Sequence, residues 1–111
     1  METLNNAIIN KMAECIVKEV NPARIILFGS AARGELQDTS DIDLLVIEDA
    51  PFGPERSRYR ETSRINRALA GFAVAKDILV YSADEVVRWR NSLNHVISNA
   101  LRDGKELYVR P

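Results

Sequence analysis

The sequence predicts an α+β fold, a small mixed β-sheet with helices packed mainly on one face. Three observations lead there. Short, nearly continuous apolar runs such as Ile25-Ile26-Leu27-Phe28 and Leu44-Leu45-Val46-Ile47 read as strands with a well-covered face. Apolar residues at helical spacing fill segments around them, and proline, glycine and asparagine mark the boundaries. At 111 residues, 46% hydrophobic and 28% charged, the chain has the size and composition of a single domain over 1–111, without repeats or low-complexity tracts.

Leu4, Ala7, Ile8, Met12, Cys15, Ile16 and Val20 recur with a helical period, predicting an amphipathic helix over residues 3–20. Asn21-Pro22 ends it, because proline cannot continue helical bonding and disfavours helix just before itself. Strands are expected over 24–29 and 41–48. The loop "EDAPFGPE" carries two prolines and a glycine, and Pro54 suits the first turn of a helix from about 55 to 70, closed by Gly71. Residues 72–81 form a third strand. Ser82 and Glu85 make a capping box for a further helical region. That region breaks near Asn91–Asn94 and stops at Asp103-Gly104, before an edge strand "KELYVR".

Composition narrows the function. A net charge of -1 argues against a generic nucleic-acid binder, so no direct nucleic-acid binding is expected. The apolar runs are too short to span a bilayer, and "METLNNAIINKMAE" lacks the basic start and apolar stretch of a secretory signal. One cysteine, Cys15, cannot form an internal disulfide, which suits the cytoplasm. Eleven arginines against four lysines hint at anionic partners, since the guanidinium fork matches phosphate and carboxylate.

The chemistry concentrates in "RIILFGSAARGELQDTSDIDLLVIE", residues 24–48. Side chains alternate along a strand, so Asp41 and Asp43 project from one side. Two carboxylates about 4 Å apart repel by roughly 4 kcal/mol at an effective dielectric near 20. Water, a shared proton or a divalent cation must offset that, and an oxygen-only donor set suits Mg²⁺. Asp77 lies inside the third predicted strand, where an acidic residue needs a partner or a metal. Gly29-Ser30 falls where the first strand ends and the short helical turn "SAARGEL" begins. Glycine lets a phosphate approach the backbone, and the free N–H groups of a helix start attract anions. Arg33, within the same turn, could reach a phosphate or brace the loop.

Gly29-Ser30, ten residues, Asp41-Ile42-Asp43 and a later strand residue Asp77 resemble the signature of the nucleotidyltransferase superfamily related to DNA polymerase β. The short length, "GSAARGE", "SDIDLLV" and "GKELY" are most similar to its minimal nucleotidyltransferase (MNT) family. Members of that family are antitoxins encoded beside HEPN-domain toxins. The resemblance implies the polymerase β-like fold, with Asp41, Asp43 and Asp77 holding two Mg²⁺ ions. Gly29 and Ser30, with Arg33, would bind ATP. The implied reaction moves AMP from ATP to a tyrosine of a cognate HEPN ribonuclease toxin and silences it. Two other readings stay open: a non-catalytic antitoxin acting by binding alone, and an enzyme acting on a small hydroxyl compound. A homo- or hetero-oligomer is compatible with exposed sheet edges.

Arg56, Arg60, Arg64 and Arg67 lie at helical spacing and are expected to share one face, either solvated or used for docking. His95, the only histidine, reads as a structural helix residue and Cys15 as a core residue. Trp89 and Tyr108 read as packing or interface residues.

Overall fold

The computed structural model describes residues 5–34 and 41–111. The elements run α1 (Asn6–Val20), β1 (Arg24–Phe28), β2 (Ile42–Glu48), α2 (Arg58–Ala68), β3 (Lys76–Ser82), α3 (Ala83–Trp89), α4 (Val96–Asp103) and β4 (Lys105–Val109). The strands form one sheet ordered β3-β2-β1-β4. β2 and β3 run parallel, and the other two pairings are antiparallel. The edge position expected of "KELYVR" is that of β4.

α1 starts behind Asn5, whose side chain accepts from the Ile8 amide at 3.0 Å. The predicted start at residue 3 lies outside the described residues. Asn21 ends the helix in the left-handed region at φ 46°, its N–H returning to the Val17 carbonyl, and Pro22 is buried behind it. α2 departs from expectation. Pro54 is not in its first turn but in a tight turn closed by two hydrogen bonds between Gly53 and Arg56, 3.0 and 3.1 Å long. Ser57 caps α2 by accepting from the Arg60 amide at 3.2 Å. A serine hydroxyl satisfies an orphan helix N–H, which proline at residue 54 cannot do. The guanidinium groups of Arg56 and Arg58 lie over the Phe52 ring, 4.3 and 4.8 Å from its centre, and pin the loop in this form. β3 is shorter at its start than predicted, because residues 72–75 serve as the connection from α2. Ser82 and Glu85 do close a capping box, and the helical break falls between Trp89 and Val96.

Strand alternation sorts the core into two layers. Ile25, Leu27, Ile42, Leu44, Val46, Ile78 and Val80 pack against α1 and α2, the two longest helices. Ile26, Leu45, Ile47, Leu79 and Tyr81 face the other way, onto Val86 of α3 and Ala100 and Leu101 of α4. The shorter helices therefore cover part of the second face. Gly104 permits the close approach of α4: a Cβ there would lie 2.6 Å from Ile26 Cγ2 and 2.9 Å from the Leu27 carbonyl oxygen.

A charged network fastens the loop before α2. Arg56 donates to Glu48 and Glu61, and to the Ala50 carbonyl at 2.8 Å. Glu48, at the end of β2, is buried, and no donor among the described residues reaches its Oε2. Burial foremost, then the adjoining Glu61, pushes its carboxyl up to about 8, against the opposing pull of Arg56. Among the described residues no helix is long and apolar enough to cross a membrane.

Candidate nucleotide site

Register along β2 decides which acidic groups meet. Ile42, Leu44 and Val46 point to α1 and α2, so Asp43 must point to the opposite face, in line with Leu45 and Ile47. Leu45 and Ile47 are buried there, whereas Asp43, nearer the start of the strand, is only half-buried. The parallel pairing of β2 with β3 sets Asp77 directly beside Asp43, and the antiparallel pairing with β1 sets Phe28 on its other flank. Asp41 precedes the strand and is exposed, as is Asp77. Burial raises the Asp43 carboxyl above its ordinary range, and the charges of Asp77 and then Asp41 raise it further. The three carboxyls are therefore within electrostatic reach of one another.

Gly29 follows Phe28 with φ +72°, and a Cβ there would run into Asp43 Oδ2. Only a residue without a side chain lets the backbone rest against this carboxylate. The next residues form a helical turn, in which Arg33 N donates to Ser30 O at 3.1 Å and Gly34 N to Ala31 O at 3.3 Å. Ala31 is buried and anchors the turn in the core. Of the predicted turn, Glu35 and Leu36 fall outside the described residues. The structure thus brings Gly29, Asp43 and Asp77 together and sets Ser30 next to Gly29. Asp41 stays near the rim.

Mg²⁺ typically binds one or two carboxylates and completes its shell with water and phosphate oxygens. Asp43 and Asp77 have the right donor chemistry and adjacency for that, and a cation would relieve the repulsion that raises Asp43. Among the described residues, no three Asp, Glu, His or Cys side chains are already gathered as a coordination sphere.

Beside Gly29 opens a cleft of about 540 Å³. Phe28, Gly29 and Arg33 line one side. Asn94, Asn99, Arg102 and Asp103 line the other, from α4 and the loop before it. Sequence reasoning passed over this second wall. The available signal was the polar run next to Gly104, but its proximity to Gly29 depends on α4 packing on β1.

The remaining candidates sort cleanly. The arginine row divides: Arg56 lies before α2 in the Glu48 network, and Arg64 donates to Glu19 Oε1 at 2.8 Å. Arg60 and Arg67 line a shallow surface hollow with Tyr59 and Ser63. His95 caps α4, its Nδ1 accepting from the Ile97 amide at 3.1 Å, and stacks on Trp89 with ring centres 4.7 Å apart. Cys15 and Tyr108 pack against the larger core.

A mixed sheet in which a glycine turn rests on paired strand aspartates has the form expected of a nucleotidyl-transferring domain. The family model for the nucleotidyltransferase domain matches residues 9–109, and the chain belongs to that family. Among solved structures, it resembles a candidate nucleotidyltransferase from Sulfolobus solfataricus at 21% identity and a TM-score of 0.63, covering 94% of this chain and 79% of the other. A chain of a toxin–antitoxin complex with AMP-PNP matches at 19% identity and a TM-score of 0.57, covering 91% and 73%. A chain from the complex of a tri-AMPylated Shewanella oneidensis HEPN toxin with its MNT antitoxin matches at 18% and 0.56, covering 96% and 74%. At these identities the likeness is one of fold. Comparison with curated proteins gave no match.

Proposed function

We propose that this protein is a single-domain minimal nucleotidyltransferase that acts as an antitoxin. It moves AMP from ATP to a tyrosine hydroxyl of a partner HEPN toxin, with Mg²⁺ as cofactor. The observation that carries the reading is the juxtaposition of Asp43 with Asp77 against the backbone of Gly29. The fold likeness to chains of toxin–antitoxin complexes, one with AMP-PNP and one with an AMPylated toxin, supports the choice of donor and partner.

In this reading the Gly29-Ser30 turn and Arg33 hold the triphosphate, and its phosphate oxygens lie near Asp41, Asp43 and Asp77. Asp41, Asp43 and Asp77 would hold Mg²⁺, which would supply charge neutralisation at the reacting phosphate. The acceptor oxygen attacks the α-phosphorus in line, the bond to the β-phosphate breaks, and pyrophosphate leaves. The hydroxyl proton passes to Asp77 or to solvent. Positioning and charge balance carry most of such a reaction, so a small domain can suffice.

The test is transfer of label from α-labelled ATP to the product of the adjacent gene, expected to be a HEPN protein, with Mg²⁺ present. Labelled toxin with the wild type, and none with Asp43→Asn, is expected. If Asp41→Asn/Asp43→Asn still neutralises the toxin, inhibition is by binding alone and the catalytic reading fails.

A further inference from the structure

The wall of the cleft contributed by α4 has no role in the motif described above, yet it is built. Arg102 donates from Nη2 to Asn99 Oδ1 at 3.0 Å and to Asp103 Oδ2 at 3.1 Å, and from Nε to Asp103 Oδ1 at 3.2 Å. Two side chains thus hold one edge of the guanidinium, while its Nη1 makes no hydrogen bond among the described residues. Asp103 also lines the cleft, but its charge is balanced by the same guanidinium. A fork held on one edge offers its other donors without first losing rotamer freedom. The closeness of Gly104 to β1 fixes how near α4 stands to Gly29.

We propose that Arg102, braced by Asn99 and Asp103, forms a second phosphate-binding wall that grips the distal phosphates of a nucleoside triphosphate resting on the Gly29-Ser30 turn. The proposal rests on the nucleotidyltransferase reading and deepens it. A triphosphate carries more acceptor oxygens than one turn and one arginine can engage. Arg33 stands on the Gly29 side of the cleft, so the guanidinium donors of α4 meet the chain of phosphates from the opposite side. The arrangement discriminates by phosphate number: a monophosphate held near the aspartates leaves the distal positions empty and gains nothing from Arg102.

Calorimetric titration of the full chain with ATP and with AMP, each with Mg²⁺, tests this. Arg102→Ala is expected to weaken ATP binding about tenfold to a hundredfold, the value of a charge-assisted hydrogen bond or two, and to leave AMP binding within about threefold. Arg102→Lys, which keeps the charge and loses the fork, is expected to fall between. The side chain is 66% exposed, so both variants should fold, which matching melting curves verify. ATP binding unchanged in Arg102→Ala, or ATP and AMP weakened alike, overturns the second wall and leaves the proposed function standing. A wild-type protein that binds no ATP overturns both.

Discussion

Gly29→Ala is a demanding probe of the site, because it acts on backbone and carboxylate together. At φ +72° an alanine sits in the left-handed region, at a cost of about 1–2 kcal/mol. For a domain of this size that lowers Tm by roughly 4–12 °C. The added Cβ also falls far inside the 3.4 Å at which ordinary contact with Asp43 Oδ2 begins. Either the carboxylate or the turn must shift by about an ångström, and a misplacement of that size can cost about 100-fold in rate. The assay pairs label transfer in the otherwise wild-type protein with thermal melts in both the wild type and an Asp43→Ala background. Removing the carboxylate removes the collision but not the strained φ. The stability cost of Gly29→Ala should therefore be smaller by at least ~0.5 kcal/mol in that background. An equal cost in both backgrounds would refute the claim that Gly29 is required by Asp43.

Asp43→Asn should stabilise the metal-free protein while abolishing transfer. The folded Asp43 carboxyl is raised by burial, Asp77 and Asp41, so its stability contribution is full below the ordinary value of 3.8 and is lost as pH rises through the raised one. The gain in Tm should accordingly be small near pH 4 and larger at pH 7, and shrink when Mg²⁺ is added. Glu48→Gln should likewise stabilise, with a gain that accumulates from about 4.5 to about 8 and is flat above, as read from melts across that window. A gain confined to acid pH would contradict a carboxyl raised by burial at Glu48. Gly104→Ala, which forces α4 away from Ile26 and Leu27, should cost about 1–3 kcal/mol, seen as a lower denaturant midpoint at unchanged slope.

The residues that declare themselves in the sequence are those whose local physics is sufficient. A near-continuous apolar run makes β1 and β2 strands wherever they pack. Asn21-Pro22 stops a helix by chain geometry, and Ser82 with Glu85 closes a cap within four residues. Asp77 was visible because a carboxylate within a strand is conspicuous against β-propensity, and Asp43 because strand alternation sets it on one side with Asp41. Where local signals competed, the outcome was decided elsewhere. Pro54 marked the expected helix start, but the helix begins behind Ser57, and the shift follows from Phe52 lying under Arg56 and Arg58, a contact between loop and helix. Glu48 gave no signal, because its burial depends on Arg56 and Glu61 folding back over the strand end.

What the chain alone determined is therefore the element order, the alternation that sends Asp43 away from the larger core, and the glycine turn at the end of β1. Tertiary structure decided the rest: that β3 lies parallel beside β2 so that Asp77 meets Asp43, and that α4 closes the cleft with Asn99, Arg102 and Asp103. The physical reason is range. Periodicity and capping act over a few residues, whereas strand order and helix docking join positions tens of residues apart through contacts that exist only once the sheet has formed.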